Sequence, residues 1–256
     1  MLLEEFDPAA GVIEPNMAFT LSDQDFEVCD TLIMVFDGDL LEQIRKLPQV
    51  RYGGYKENIN GKLPWYIYEK DGLKVGVCMA YLGAPALIGT VEELHAAGFE
   101  KFIIFGSCGI LDGNLATEKL ILPTSALRDE GVSYHYAPAS DEIGYPESHL
   151  AHFIQMLDKH GIEHITAKTW TTDAFFRETP DKVKRRIAAG AQVVDMESAA
   201  LMAWSQFRKV PVYQFFYTND YVDHENGWNP HHSVDGLDLM IFFQLALKLA
   251  KELKHD

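Results

Sequence analysis

Two carboxylates stand in a stretch that is otherwise typical of buried chain. Residues 193–203 read VVDMESAALMA, with Asp195 and Glu197 on either side of Met196. A carboxylate between a strand and a helix can accept hydrogen bonds from the first helical turn, and we favour this capping role for Asp195. Glu197 is the better candidate for chemistry, because its two oxygens can take both hydroxyls of a sugar diol such as ribose. Met196 would offer the sugar ring a soft apolar surface.

Small residues follow a hydrophobic run in FGSCGILDG, residues 105–113. Gly106 and its neighbours would let backbone N–H groups approach an anion or a ligand oxygen, and the Ser107 hydroxyl can add a hydrogen bond. The alternative is a tight turn from strand to loop that requires glycine. Cys108 as a nucleophile, with His135 as its base, is a third interpretation, but a small residue beside a buried strand more often only packs.

A third strand-like run, FFYTND at residues 215–220, ends in Asn219 and Asp220. An Asx turn is the ordinary explanation for such an ending. The functional alternative is that Asp220 lies beside a purine and exchanges a proton or a hydrogen bond with a ring nitrogen.

Alternating hydrophobic runs and amphipathic segments predict the elements that hold these residues. The predicted strands are 31–36, 74–80, 101–106, 119–123, 192–196 and 212–219, and the predicted helices are 84–98, 147–161, 179–190, 198–207 and 233–253. This alternation indicates a mostly parallel sheet covered by helices on both faces, in which ligands bind beyond the ends of the strands. We expect the three polar strand ends to share one pocket. Residues 51–62 are predicted to be a loop or hairpin connection, and residues 221–232 to be irregular.

Composition limits the class of protein. A chain of 256 residues with 47% hydrophobic content can bury one substantial core, so we predict a single domain over residues 1–256. The acidic N-terminus and the absence of a long apolar run favour a cytoplasmic protein. The formal charge of -16 disfavours nucleic acid and anionic membranes as partners. The three widely spaced cysteines, Cys29, Cys78 and Cys108, indicate reduced thiols.

The same segments carry a family resemblance. KFIIFGSCGIL, LPTSALRDEGVSYHY, TWTTDAFFRET, VVDMESAALMA and the late strand ending in ND resemble the nucleoside phosphorylase family, which includes uridine phosphorylase, hexameric-type purine nucleoside phosphorylases and methylthioadenosine nucleosidases. The resemblance extends from about residue 31 to the C-terminal helix, leaving residues 1–30 as an N-terminal extension. It implies a single α/β domain with a twisted, mixed and mostly parallel sheet flanked by helices, and an active site that acts on the N-glycosidic bond of a nucleoside.

By position, the resemblance assigns a role to each candidate residue. Ser107 corresponds to the phosphate-contacting hydroxyl, Met196 and Glu197 to the ribose-binding pair, and Asp220 to the base-contacting acid of purine-specific members. Phe175 corresponds to the aromatic residue that stacks on the base, and Gly83 belongs to a glycine-rich turn, LGAP, near the same pocket. The substrate-binding candidates are Gly83, Gly106, Ser107, Cys108, Phe175, Met196, Glu197 and Asn219, and the catalytic candidates are Glu197 and Asp220.

The implied chemistry uses the two acids differently. Cleavage of the glycosidic bond builds positive charge on the sugar, which Glu197 would stabilise in an oxocarbenium-like transition state. The leaving purine needs a proton or hydrogen bond at N7, a role suited to Asp220. Asp195 departs from the Glu usual at its position in the family, and we expect it to be structural.

Two departures from the family pattern concern the phosphate site. Ile104 and Leu40 stand where phosphorylases of this family normally have arginines. The nucleosidase branch also lacks these arginines and uses water activated by an acid of the first turn, for which Asp37 or Asp39 could substitute.

Alternatively, a cation from another loop or from a neighbouring subunit could bind the phosphate. The candidates are Arg51, Lys56, Arg128 and Arg177. A structural pairing of Arg128 with Asp129 or Glu130 is the simpler interpretation of that arginine.

The favoured reading is phosphorolysis of a purine nucleoside to free base and ribose 1-phosphate, with inorganic phosphate as co-substrate, no cofactor and no metal. Hydrolysis by water and a non-catalytic nucleoside-binding protein are the alternatives. His224, His231 and His232 lack a firm metal-ligand pattern. We also expect a homo-oligomer, because the family commonly completes its pocket with a neighbour's residues and because the apolar segment LPWYIY, residues 63–68, needs covering.

Overall fold

Twelve strands and seven helices make up the part of the chain that the computed structural model describes, residues 5–18, 20–21, 26–59, 61–115, 119–230 and 238–254. The strands are β1 Thr20–Leu21, β2 Thr31–Val35, β3 Val50–Asn58, β4 Gly61–Lys70, β5 Leu73–Met79, β6 Lys101–Ile110, β7 Leu120–Asp129, β8 Glu142–Gly144, β9 His164–Thr172, β10 Val193–Asp195, β11 Val212–Asp223 and β12 Gly227–Asn229. The helices are α1 Pro15–Ala18, α2 Gly38–Arg45, α3 Ala84–Ala97, α4 Glu147–Lys159, α5 Pro180–Ala188, α6 Ser198–Arg208 and α7 Met240–Leu253. Two short 3-10 turns cover Ser133–His135 and Phe175–Arg177.

The strands form one mixed sheet that closes on itself in its second half. Their order is β1-β3-β4-β5-β2-β6-β10-β9-β7-β11-β12, with β8 beside β7 and a further pairing between β6 and β11. That pairing closes a ring of β6, β10, β9, β7 and β11. Pairing is parallel where β2 meets β5 and β6, where β6 meets β11, and where β9 meets β7 and β10. The predicted α/β class with a mixed sheet is confirmed, although antiparallel pairs take a larger share than predicted because β3, β4 and β5 follow one another as hairpins.

Helices cover both faces of the sheet, as the continuous hydrophobic strands predict. In β2, Ile33 and Val35 face a core that α2, α4 and α7 cover, whereas Leu32 and Met34 face a second core under α3 and α6. Both cores are fully buried along this strand. Among the described residues, no helix is both long and apolar enough to cross a bilayer.

Most predicted elements are present, and four predictions need correction. Of residues 51–62, predicted to be a loop or hairpin connection, 51–58 belong to β3 and 61–62 to β4, because the two segments pair as antiparallel strands. The strand predicted to stop near Gly106 continues as β6 to Ile110, because its last residues pair with both β10 and β11. Residues 221–229, predicted to be irregular, form the end of β11 and a hairpin with β12. The segment 63–68 is a central part of β4 whose Trp65 and Ile67 are fully buried within this chain, so it needs no cover from a neighbour. Of the helix predicted over 233–253, residues 233–237 lie outside the described residues.

All three cysteines are free thiols, as their spacing predicts. Cys78 and Cys108 are buried, and Cys29 is partly buried.

Candidate functional site

The three polar strand ends meet at one cavity of about 680 Å³. β6, the junction of β10 with α6, and β11 each contribute to its wall, together with the Phe175–Arg177 turn and the β11–β12 hairpin. The lining residues are Leu82, Ser107, Cys108, Gly109, Phe175, Phe176, Glu178, Pro180, Val183, Val194, Asp195, Met196, Glu197, Asp220, Val222, Asp223, His224, Gly227 and Trp228. This volume accommodates a small organic ligand.

The end of β6 presents one predicted residue to the cavity and buries another. Ser107 is exposed and lines the cavity. Gly106 is buried and is not among the residues that line the cavity. A Cβ at this position would lie 2.6 Å from Cδ2 of Phe36. The glycine is therefore required for close packing of the Phe36 ring rather than for approach to a ligand, which corrects its predicted role.

Cys108 lines the cavity as a packing residue. Its side chain is buried, and this burial, reinforced by the charges of Asp195 and Asp220, raises the pKa of the thiol well above its ordinary value. A thiol that stays protonated is a poor nucleophile. His135, the base considered for it, is exposed on a 3-10 turn and is not part of the cavity wall.

Asp195 is the structural acid of the β10–α6 junction. Its Oδ2 accepts hydrogen bonds from the backbone N–H groups of Glu197 at 2.9 Å and Ser198 at 2.7 Å. Its Oδ1 accepts from the hydroxyls of Thr169 at 2.9 Å and Thr171 at 2.8 Å. These four bonds satisfy the carboxylate and fix the start of α6, as the capping interpretation predicts.

Glu197 is buried beside the same junction, with 5% of its surface exposed. Its Oε1 accepts a 2.6 Å hydrogen bond from the backbone N–H of Gly83, and Oε2 accepts a longer one, 3.3 Å, from the N–H of Met196. Gly83 has a positive φ of 92° at the start of α3, a conformation that favours glycine. Burial, and next the charge of Asp195, raise the pKa of Glu197 to about 8. Each oxygen keeps a lone pair for a ligand hydroxyl.

A bulge in β11 brings Asp220 opposite the end of β6. Thr218 pairs with Cys108 and Asp220 pairs with Gly109, so Asn219 is the extra residue. Such bulges redirect side chains beside functional sites. Asp220 lines the cavity, and its Oδ2 accepts a 2.6 Å hydrogen bond from the indole N–H of Trp228. The side chain of Asn219, a predicted binding residue, lies outside the described part of the chain.

Apolar side chains with large exposed surfaces form the rim. Phe175 is 44% exposed and packs on Phe176, which is 87% exposed, at a ring separation of 4.0 Å. Trp228 and Leu82 are 67% and 65% exposed. Phe175 was predicted from the sequence, whereas the other three were not. The rim offers aromatic faces on which a planar ring can stack.

Glu178 is one of two titratable lining residues that the sequence reasoning missed, the other being Asp223. Glu178 follows the two phenylalanines in TWTTDAFFRET, a motif whose acid was not singled out. Burial, and then the charge of Asp220, raise its pKa to about 7, against a smaller opposing influence of Lys182. Among the described residues, no hydrogen bond to its carboxyl group is present to offset that burial.

No lysine or arginine of this chain lines the cavity. All 22 lysines and arginines of the sequence fall within the described residues, and none of them lines the wall. Arg51 pairs with Glu27 and Glu69, and the buried Lys56 pairs with Glu93. Arg177 is exposed outside the lining set.

Arg128 clamps the loop that follows β7. Its guanidinium donates to the hydroxyls of Ser133 and Ser140, both at 2.8 Å, and to the carbonyl of Pro138 at 2.7 Å. Its predicted structural role therefore stands, but the partners predicted for it are wrong. Asp129 instead binds Arg186 and Lys182, and Glu130 accepts from the N–H groups of Val132 and Ser133.

The two positions at which the family resemblance led us to expect phosphate-binding arginines are core positions in this chain. Ile104 is fully buried in β6, and Leu40 is buried in α2. Asp37 caps α2 by accepting from the N–H of Leu40 at 2.7 Å, and neither Asp37 nor Asp39 lines the cavity. A water-activating role for these two acids is therefore not supported within one chain.

The histidines form no metal site in the described part of the chain. His224 lines the cavity, while His231 and His232 lie outside the described residues. No group of three or more potential metal ligands occurs among the described histidines, cysteines and acids.

Comparison with known proteins agrees with this architecture. Residues 30–253 match the family model described as the phosphorylase superfamily. Guanosine phosphorylase of Halorubrum lacusprofundi is 26% identical over 52% of this chain and 55% of its own length, so the chain spans about half of that relative. Uridine phosphorylase of Escherichia coli is 24% identical over 71% of this chain and 76% of its own. Purine nucleoside phosphorylase of Toxoplasma gondii, solved with immucillin-H, shares the fold with a TM-score of 0.73 at 17% identity, over 89% of this chain and 92% of that one.

Proposed function

The chain belongs to the phosphorylase superfamily, and from that premise we propose that it cleaves the N-glycosidic bond of a nucleoside, with inorganic phosphate as nucleophile, to give free base and ribose 1-phosphate. The observation that carries the proposal is Glu197, a carboxyl group buried in the cavity wall and held by the N–H of Gly83. Glu197 would bind the ribose hydroxyls and stabilise the positive charge that develops on the sugar.

A purine base suits the remainder of the cavity. Phe175 and Trp228 supply aromatic faces, and Asp220 lines the cavity beside Trp228, where it can accept a hydrogen bond from the base. The relatives named for guanosine and for uridine point to different bases, so the purine preference rests on this acid.

Phosphate is favoured as the nucleophile by family membership and by the exposed Ser107 hydroxyl. Hydrolysis is the second candidate, because no lysine or arginine of this chain lines the cavity among the described residues. Phosphate bound without a cation loses the charge-assisted hydrogen bonds that are roughly twice as strong as neutral ones.

One assay separates these reactions. The purified protein is incubated with a panel of ribonucleosides and deoxyribonucleosides, with and without phosphate, and the sugar product is identified by chromatography. Ribose 1-phosphate formed only with phosphate supports the proposal, whereas free ribose at an undiminished rate without phosphate identifies a hydrolase. Calorimetric binding without release of any base would identify a non-catalytic nucleoside-binding protein.

We also propose that a second copy of this chain covers the rim. Phe176, Leu82 and Trp228 leave large apolar surfaces beside the cavity. A neighbouring copy would cover them and could bring a cation to the phosphate. Sedimentation at micromolar concentration should therefore give a species larger than 28.9 kDa; a monomer over the whole accessible range would refute this arrangement.

A further inference from the structure

Two acids of the cavity wall, Asp220 and Glu178, lie close enough for the charge of one to act on the other. We propose that Glu178, and not Asp220, is the general acid that protonates the departing base. This inference rests on the proposed cleavage of an N-glycosidic bond and assigns a catalytic role to a residue outside the motif that suggested that reaction.

The first argument is the hydrogen bond that Asp220 already receives. The indole N–H of Trp228 donates to its Oδ2 at 2.6 Å. An indole nitrogen only donates, and a donor binds an ionised carboxylate about twice as strongly as a neutral one. Trp228 therefore stabilises the form of Asp220 that has no proton to give.

The second argument is that Glu178 has no comparable support. Its carboxyl group is partly buried and, within the described residues, accepts no hydrogen bond. Two neighbouring carboxyl groups resist double ionisation, and the proton stays on the one whose charge is less stabilised. The raised pKa of Glu178, about 7, agrees with this division.

The surrounding charges do not reverse that assignment. Lys182 lies on α5 beside Glu178, but it also pairs with Asp129 at 3.2 Å. The other titratable groups that line the cavity with Glu178 are Cys108, Asp195, Glu197, Asp220, Asp223 and His224. Among them the charge of Asp220 acts on Glu178, and it favours the protonated form of Glu178.

The proposed step is balanced as follows. The C1′–N bond breaks and its electron pair goes to the base, while the proton of Glu178 passes to a ring nitrogen of that base. The nucleophile forms the new bond to C1′, and Glu178 is left as a carboxylate that regains a proton from solvent after the base departs. Asp220 accepts a hydrogen bond from the base and transfers no proton.

The test compares a base that needs a proton with one that does not. Wild type and Glu178→Gln are assayed with guanosine and with 7-methylguanosine, whose base is already cationic and leaves as a neutral molecule. We expect Glu178→Gln to lose on the order of 100-fold in kcat/KM for guanosine and to change little for 7-methylguanosine. Glu147→Gln, the same substitution at an exposed position of α4, serves as the control.

The pH profile gives an independent readout. The active enzyme needs Glu197 ionised and Glu178 protonated, yet Glu197 has the higher pKa, about 8 against about 7. The wild-type kcat/KM for guanosine should therefore rise up to about pH 7 and fall above about pH 8. In Glu178→Gln the falling limb should disappear and the rising limb should move up to about pH 8, a displacement that a merely structural role would not produce.

The outcomes are distinguishable. If wild type releases base and Glu178→Gln keeps both its guanosine rate and its falling limb, the assignment of Glu178 is wrong. If Asp220→Asn abolishes the falling limb and moves the rising limb up to about pH 8, Asp220 is the acid. Our proposal expects Asp220→Asn to keep the falling limb near pH 8 and to move the rising limb to lower pH, because removal of the negative neighbour lowers the pKa of Glu178. If wild type releases no base from either nucleoside, the proposed function itself fails, and this inference fails with it.

Discussion

Replacing Glu197 by Gln should make the protein more stable at alkaline pH while removing its activity. In the folded chain the pKa of Glu197 is raised from 4.5 to about 8, first by burial and then by the charge of Asp195. A raised carboxyl pKa means that the folded state keeps a proton that the unfolded state has lost. Stability therefore declines as pH rises from about 4.5 to about 8 and is level above that range. At about 1.4 kcal/mol per pH unit, the loss reaches about 5 kcal/mol.

Glutamine removes that loss but has a smaller cost of its own. Its amide oxygen can still accept from the N–H of Gly83, whereas its amide nitrogen would face the N–H of Met196, the donor of the longer hydrogen bond. Opposed donors at a buried site cost about 1 to 2 kcal/mol. The variant should therefore be less stable than wild type near pH 4.5 and more stable by about 3 kcal/mol above pH 8. The two stabilities should cross at one pH between about 5 and 6.

Urea unfolding at a series of pH values tests this crossover, with Glu147→Gln as an exposed control that should track wild type. The turnover of Glu197→Gln should fall by orders of magnitude in parallel, because the amide cannot supply negative charge to the sugar. A difference in stability between the variant and wild type that is constant across this pH range would refute the argument, since the ionisation of Glu197 would then not be linked to folding.

Three further substitutions have definite expected outcomes. Asp195→Ala leaves two buried backbone donors unpaired and removes a helix cap, so thermal denaturation should show a loss of stability of about 3 to 5 kcal/mol. A loss of stability below about 1 kcal/mol would contradict the hydrogen bonds described for Asp195. Gly106→Ala forces a methyl group against Phe36 and should lower the stability of the fold by about 1 to 3 kcal/mol in thermal denaturation. Adding Phe36→Leu should restore most of that stability. Equal destabilisation of the single and double variants would show that the contact with Phe36 is not the cause. Trp228→Phe keeps an aromatic side chain but loses the N–H that binds Asp220, so kcat/KM for a purine nucleoside should fall about 10-fold while stability is unchanged. An unaltered kcat/KM would mean that this hydrogen bond does not orient Asp220.

The sequence predicts the layers of the fold and the helix-capping role of Asp195 because both depend on local pattern. Continuous hydrophobic runs such as the one in β2 are typical of strands covered on both faces, and β2 is buried on both. The interpretation of Asp195 as a helix cap also depends on adjacent residues only. Those are the predictions for which a short window of sequence contains the physical cause.

The remaining features depend on contacts between distant segments. β6 runs past Gly106 because β10 and β11 supply hydrogen-bonding partners there, and hydrophobic periodicity does not encode those partners. Trp228 is 50 residues from Glu178 in the chain, and only the β11–β12 hairpin and the turn after β9 bring them to the same cavity. The pKa of Glu178 depends on burial and on Asp220, neither of which is visible in the motif TWTTDAFFRET.

The ionised form of Glu197 is poorly stabilised in the folded protein, and the proposed transition state can stabilise it. Within the described part of the chain, its negative charge has two backbone donors and an unfavourable neighbour in Asp195, and burial together with that neighbour accounts for its raised pKa. Positive charge that develops on the sugar in the transition state stabilises the ionised form, and a neutral nucleoside in the ground state does so much less. An interaction that is stronger in the transition state than in the ground state accelerates the chemical step, whereas one that is equal in both does not. A carboxylate that is fixed in place and poorly solvated therefore suits this position better than one with a full set of hydrogen bonds, which is the condition of Asp195 two residues earlier.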